Sequence, residues 1–537
     1  MFWTRSAQAL ETILCMVANL AVGQVTTRVS VDSNGIEGNR ASDRHCSLSE
    51  DGRYVAFACL ADNLVVGDSN GVLDVFVHDR ATGRTERVSE GFGLRDGSGN
   101  RADANDWSEV PSLSADGRFV VFTSMASNLV TGDTNQSCDT FVHDRWTGTT
   151  TRVSVSSEGK EGDRGIYSFP AISADGRFIA FTSDSTNLVP GDFNGQPDVF
   201  LYDRVTRETV RVSIDSSGAE SNGQSWVDGS CISAGGRFVI FTSGADNLVS
   251  NDTNKVPDVF VHDRETGETS RASVTSDEKQ STKWSADGVV SADGRYVAFG
   301  SGARLVPEDN FTGSDVYLRD RVLGITSRVS VDSSGNDPNG DSREPSMSSD
   351  GELISFQSVA SDLVNGDKNF ASDIFVRCRP KITTVRVSVN SDGTEGNRSS
   401  DFPAISADGR HVTFTSDATN LVPRDRNSFP DTFAHGPELT LSTDSSIAGV
   451  NERVTLMVYR GVPGHAASLW ITRVDGSTIF VPLSLGAFGP DGLFTVSGQV
   501  PPGLHAEITL QCLAFDRDLE VAATNEVVVT LVPLEQR

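Results

Sequence analysis

The chain states one phrase seven times. Ser-Ala-Asp-Gly-Arg-Phe-x-x-Phe-Thr-Ser, or a close variant, begins at Ser49, Ser114, Ser173, Ser233, Ser291, Ser348 and Ser406, at intervals of 57 to 65 residues. A fixed period of that size marks a repeat architecture, in which each unit buries its apolar faces against its neighbours. Most of the eye-catching residues therefore recur for geometric reasons, and chemistry has to be sought where the copies differ.

One repeat stands for all. In residues 169–213, FPAISADGRFIAFTSDSTNLVPGDFNGQPDVFLYDRVTRETVRVS, the spacing predicts a short strand over Pro170–Ser173 and a tight turn at Ala174-Asp175-Gly176. A β-rich second strand runs over Arg177–Ser183 and a third over Asp198–Asp203. A fourth, Glu208–Ile214, follows a turn that is Thr-Gly in most copies and Thr206-Arg207 here. Nothing in the repeat has helical period. Four antiparallel strands repeated seven times are expected to form a seven-bladed β-propeller, which hides both faces of every blade and leaves only short edges.

The ends of the array support a closed ring. Val25–Val31 reads as a fourth strand with no three before it, and Asp431–His435 as a third strand with no fourth after it. The N-terminal strand is therefore expected to complete the last blade. The repeat stops after Gly436. Residues 437–537 carry alternating segments, among them Arg453–Tyr459, Ser468–Val474, Thr478–Leu483, Leu493–Val500, Glu507–Phe515 and Asn525–Leu531. They read as an immunoglobulin-like β-sandwich without the Cys…Trp…Cys spacing of true immunoglobulin domains.

Residues 1–24, MFWTRSAQALETILCMVANLAVGQ, have one basic residue ahead of a short apolar run, as a secretory signal peptide does, although Glu11 interrupts the pattern. The stretch is too short to span a bilayer, and no other segment is apolar enough. The formal charge of −28 repels a phosphate backbone, so nucleic acid is not an expected partner. The seven cysteines fall at non-equivalent places in the repeats, and only Cys46 and Cys59 could lie close together.

The phrases SADGRFVVFTS and DVFVHDRETGETSRAS closely resemble the WD40-like (PD40) repeats of bacterial TolB-type propellers over roughly residues 25–436. The resemblance implies the propeller fold. It implies little about function, because propellers of this kind serve as interaction modules, peptidase appendages and ligand-binding rings.

A second recurring phrase, Asn-Leu-Val-x-x-Asp-x-Asn-x-x-x-Asp, places oxygen side chains at Asp68/Asn70/Asp74, Asp133/Asn135/Asp139, Asp192/Asn194/Asp198, Asp252/Asn254/Asp258, Asp367/Asn369/Asp373 and Asp425/Asn427/Asp431. The fifth copy departs, with Asp309, Phe311 and Asp315. Such donors suit Ca²⁺. The competing reading is a set of capped Asx-turns, and repetition in every copy favours the turns.

His78, His143 and His262 occupy one repeat position that Tyr202, Arg319, Arg377 and His435 share, so an exposed strand-end residue is expected there, not a catalytic histidine. The Asp-Arg that follows, as in Asp79-Arg80 and Asp144-Arg145, reads as a turn-bracing pair; Cys378 replaces the Asp in the sixth copy. There is no G-x-S-x-G elbow and no phosphate-binding loop.

The long loops are the 2–3 and inter-blade connections, and variable loops on a rigid scaffold are where binding concentrates. Trp107, Tyr167, Trp226 and Trp284 fall in inter-blade loops and are candidate ligand contacts for a sugar or peptide; the alternative is that they pack beneath their own loops. The expected function is a non-catalytic, extracytoplasmic binding or scaffold protein that uses this face for a protein or carbohydrate ligand. One alternative is a hydrolase or lyase acting on polysaccharide or peptide in the central funnel. Another is a Ca²⁺-stabilised structural surface protein. A binding ring predicts a funnel lined alike by all blades. An enzyme predicts unmatched His, Arg or carboxylates in one blade, and Arg343-Glu344 is the pair that stands out.

Overall fold

The computed structural model describes residues 24–93, 102–165 and 169–437, and the backbone of further strands between 441 and 531. Seven four-stranded antiparallel sheets follow one another along the chain. The first blade is Ser42–Leu48, Tyr54–Cys59, Asp74–Asp79 and Arg84–Arg87, from innermost to outermost strand, and the next five repeat that order. In the seventh, Ser400–Ile405, Val412–Ser416 and Asp431–Pro437 are completed on the outside by Gln24–Arg28, so the ring closes through the N-terminal strand.

Alternation places one large side chain from each central strand on the same face of the blade. Phe57 and Phe76 stack with centroids 5.8 Å apart, and the corresponding rings do so in every blade, with Tyr317 standing for the second Phe in the fifth. All these rings are fully buried, which removes their apolar surface from water.

The repeated turn stitches neighbouring blades. Gly117, at φ +68°, brings its backbone against the ring of Tyr54 in the preceding blade; a Cβ there would lie 2.3 Å from Tyr54 Cδ2. Glycine is needed both for the left-handed conformation and for the close approach. The same ring lies between two guanidinium groups, Arg53 of its own blade at 4.8 Å and Arg145 of the next at 4.2 Å. Phe119, Phe178, Phe238 and Tyr296 are covered in the same way.

The Asp-Arg dipeptide braces turns, as expected, but through separate partners: Arg53 holds Asp79 in a two-pronged bond of 2.9 and 2.7 Å and Asp79 accepts the Ala81 N–H, while Arg80 donates to the Gly52 carbonyl. In the sixth blade both partners change together, to Glu352 and Cys378. One sequence expectation is corrected: the His/Tyr/Arg position preceding the dipeptide is buried, not exposed. His78 and His143 each share a hydrogen bond of 2.9 Å with a threonine of the outer strand, Thr85 and Thr150. Arg319 and Arg377 donate to the corresponding Thr326 and Thr384. Several side chains can satisfy that threonine, which is why the residue type varies.

Contacts separate Thr26–Gly436 from a unit that contains Pro437–Arg537. In the latter, Leu441–Thr443, Arg453–Tyr459 and Leu493–Gln499 form one sheet. Ile447–Ala448, Val521–Leu531, Glu507–Phe515, Ala466–Val474 and Ser477–Ala487 form a second, in that order. Among the described residues no helix is long and apolar enough to cross a membrane. The expected signal peptide lies outside them.

A candidate ligand cavity in the central channel

The repeated acidic phrase is assembled around an arginine. In blade three, Asn194 donates to Asp198 Oδ2 at 2.9 Å, and Arg211 of the outer strand sets its Nη1 3.6 Å from Asp192, 3.2 Å from Asp198 and 2.8 Å from Glu220. The other blades repeat the arrangement. Arg87 holds Asp68 and Asp74, Arg152 holds Asp133 and Asp139, and Arg271 holds Asp252 and Asp258. Arg386 holds Asp367 and Asp373, Arg28 holds Asp425 and Asp431, and Arg328 holds Asp309.

The asparagines of the phrase depart from the role a Ca²⁺ loop would give them. Asn70, Asn135, Asn254, Asn369 and Asn427 each turn the amide nitrogen, not the oxygen, toward the carboxylate, donating to Asp74, Asp139, Asp258, Asp373 and Asp431 at 2.6 to 3.3 Å. Their Oδ1 atoms accept the backbone N–H two residues on, at Val72, Ser137, Val256, Ala371 and Phe429. That bond is the Asx-turn, and it engages the oxygen expected to face an ion. The same amide nitrogens also donate to a carbonyl 27 residues on in most blades, as Asn135 does to Gly162, so each loop is tied to the inter-blade connection. The groups Asp192/Asp198/Glu220 and Asp367/Asp373/Glu395 bring three carboxylates close enough to hold one metal ion, and in both an arginine already lies among them. The buried charge has a counter-ion supplied by the fold, as buried carboxylates require.

The fifth blade shows what each partner contributes. Phe311 stands where the others have Asn, so Asp315 Oδ2 is buried without a hydrogen-bond partner. Burial pushes the Asp315 carboxyl up to about 7.

The blades differ from one another in the channel. In five of them the innermost strand carries a register shift, as between Ser42 and Cys46 or between Arg343 and Ser346. Val110, Asp287, Glu344 and Phe402 take positive φ of 51 to 59° at these bulges. Each is a strained conformation for a side-chain-bearing residue, held by the surrounding sheet. Together with His45, Phe169 and Asp228 they line a cavity of about 170 Å³. The lining starts at the bulges and continues along the inner strands toward the short Ser-x-Asp-Gly turns, as Leu48 and Ile405 show.

The cavity has two unlike walls. Blades one, two, three and seven contribute His45, Val110, Phe169 and Phe402. The His45 ring sits between Phe169 and Phe402, with centroids 4.4 and 4.6 Å away. Burial lowers its pKa to about 4, so it is a neutral ring at physiological pH. Blades four, five and six contribute Asp228, Asp287 and Glu344. Asp228 accepts hydrogen bonds from Thr242 Oγ1 at 3.0 Å, the Asp287 backbone N–H at 3.3 Å and the Trp226 side chain. The Glu344 backbone N–H in turn donates to Asp287.

Burial, followed by the mutual repulsion of the three carboxylates, pushes Asp228 up to about 7 and Glu344 up to about 8; burial also raises Asp287. Arg343 opposes the shifts of Asp287 and Glu344 but is half exposed, with its guanidinium 5.4 Å from the Trp284 ring centroid. Among the described residues these three carboxylates are not one of the groups whose oxygens converge on a single ion. Cys46 lies beside His45, but its Sγ donates to Thr413 Oγ1 and burial pushes the thiol up to about 12, so no thiolate nucleophile is available there.

Of the aromatic candidates, Trp107, Trp226 and Trp284 are half-buried around the inner strands, and Tyr167 lies outside the described residues. Trp226 supports Asp228, and the Trp284 indole covers Gly302. None of the three lines the cavity. Of the channel residues, sequence reasoning singled out Glu344 with its neighbour Arg343 and missed the rest. Their signal is positional: the channel residue stands four places before the Ser of the repeated phrase in six blades and five places before it in the fourth. The channel is not lined alike by all blades, contrary to the simplest expectation for a binding ring.

No protein-family model matches the chain, and neither does any of the curated proteins. Solved structures similar to it include TolB from Agrobacterium tumefaciens, at 14% identity over 57% of this chain and 87% of that one, TM-score 0.33. The periplasmic gluconolactonase PpgL from Pseudomonas aeruginosa shares 14% over 79% and 94%, TM-score 0.31. A fungal alcohol oxidase of the AA5 family, in complex with copper, shares 12% over 95% and 100%, TM-score 0.38.

Proposed function

We propose that this protein is a non-catalytic extracytoplasmic binding protein, and that its ligand, a protein or carbohydrate, seats a group in the central channel. The observation that carries this reading is the two-sided cavity, in which His45, Phe169 and Phe402 face Asp228, Asp287 and Glu344. A cavity with one apolar wall and a few placed polar groups orients a ligand. The C-terminal strands belong, in this reading, to an immunoglobulin-like accessory domain. The acidic loops are structural turns neutralised by arginine and do not need Ca²⁺.

The test is equilibrium binding to an array of glycans and peptides, comparing wild type with Val110→Phe, which fills the channel. Ligands retained by the wild type and lost by the variant support the reading. Ligands indifferent to the variant place binding elsewhere and overturn it.

Two observations favour a hydrolase or lyase as a second reading. The blades line the channel with unlike residues, as an enzyme predicts. Glu344 holds its proton at neutral pH beside other carboxylates, as a general acid does. Turnover of a retained glycan or peptide that Glu344→Gln abolishes would establish it.

A further inference from the structure

The two walls say what kind of group the channel takes, and this step rests on the channel being the binding site. Three carboxylates from consecutive blades share one side of a small cavity, and their local cation, Arg343, stands half in solvent. Across from them the His45 ring is enclosed between two phenylalanines, and neither ring nitrogen has a hydrogen-bond partner among the described residues. The carboxylates do not converge on a point, so a bare metal ion would meet too few oxygens at once. A group that reaches several separated carboxylates while laying carbon against aromatic rings fits both walls.

We infer that the channel binds an ammonium or guanidinium group carried on an apolar stem, the chemistry of a lysine or arginine side chain and of free alkylamines. The stem would lie along Phe169, Phe402 and Val110; a guanidinium head would reach across Asp228, Asp287 and Glu344, and an ammonium head would pair with neighbouring members of the three. The ammonium supplies three donors and the guanidinium five, while the neutral His45 ring offers an acceptor and a flat face. Carboxylates held partly protonated by burial and by one another give up those protons as the cation arrives, so binding strengthens as pH rises from about 6 toward 9.

The experiment measures the affinity of the full chain for butylamine, butanol and butyrate, and for a short peptide with a central Lys against the same peptide with norleucine. It is run on wild type, Glu344→Gln, Asp287→Asn and Val110→Phe, with circular dichroism confirming the fold of each. The expected result is binding of butylamine or of the Lys peptide at least tenfold tighter than of its uncharged counterpart. Glu344→Gln and Asp287→Asn should remove that preference, and Val110→Phe should remove binding. Preference for the peptide alone makes the source a polypeptide; preference for butylamine as well makes it any alkylamine. If neutral or anionic probes bind equally well and remain sensitive to Val110→Phe, the channel is the site but the cation inference is overturned. If no probe is sensitive to Val110→Phe, both the inference and the channel reading fall.

Discussion

Ser30 Oγ donates to Asp431 Oδ1 at 2.6 Å, joining residues 401 apart in the chain. Arg28, from the same N-terminal segment, places its Nε 3.3 Å from the other oxygen of that carboxylate. These are the contacts that Ser213 and Arg211 make with Asp198 inside a single blade. The ring is therefore closed by an ordinary blade whose outer strand comes from the opposite end of the sequence. Deleting residues 24–31 should leave the Asp431–Pro437 strand as a bare edge and bury Asp431 without its cation. Loss of a buried partner costs about 3–5 kcal/mol, and a bare edge invites pairing with another chain. Thermal unfolding and size-exclusion chromatography should show a lower midpoint and self-association; an unchanged monomer would contradict closure by this strand.

If arginine is the counter-ion of the acidic loops, millimolar Ca²⁺ and a chelator should leave the unfolding temperature of the wild type unchanged. In Arg386→Met, Asp367, Asp373 and Glu395 lose their shared cation. That variant should be destabilised and should regain part of its midpoint in Ca²⁺, since an ion that binds only the folded state stabilises it. A large Ca²⁺ shift in the wild type would show that metal, not arginine, neutralises the loops.

Asp315 provides a pH signature. Its carboxyl titrates at about 7 in the fold against 3.8 for the ordinary group. A raised carboxylate pKa means that the folded state holds the extra proton. The stability from this group is complete below about pH 4 and is lost as pH rises through 7. Asp315→Asn mimics the protonated form, so it should match the wild type near pH 4 and exceed it by roughly 3–4 kcal/mol at pH 8, since each tenfold change in proton affinity is worth about 1.36 kcal/mol. Denaturant unfolding at the two pH values reads the difference. An equal offset at both would show that Asp315 does not titrate between them.

Two glycines separate conformational cost from packing cost. Gly83 and Gly117 both have φ near +70°, but an added Cβ meets nothing within 4 Å at Gly83 and meets Tyr54 at 2.3 Å at Gly117. Gly83→Ala should cost about 1–2 kcal/mol, the left-handed penalty alone. Gly117→Ala should cost a further ~1–3 kcal/mol, the usual range for overpacking. Denaturant titration of the two variants gives both costs, and equal losses would mean that the blades do not meet at this turn.

The repeat, the four strands per blade and the closing N-terminal strand were legible in the sequence because they rest on periodicity, turn residues and the count of strands at each end. These are local properties that each copy states again. The Arg53–Asp79 pair was not legible, because its members lie 26 residues apart and only the antiparallel register brings them side by side. The arginine within each acidic loop was hidden for the same reason: Arg211 stands 13 residues beyond Asp198, on the outer strand. The channel was harder still. His45, Phe169, Asp228, Asp287, Glu344 and Phe402 come from six blades, and no local pattern marks a residue that faces its counterparts across a ring. By itself the sequence determined a closed ring of seven sheets. The tertiary structure decided which inner-strand residues the bulges turn into the channel. It thereby made one wall acidic and the other aromatic, because only ring closure brings side chains some 60 to 350 positions apart into one cavity.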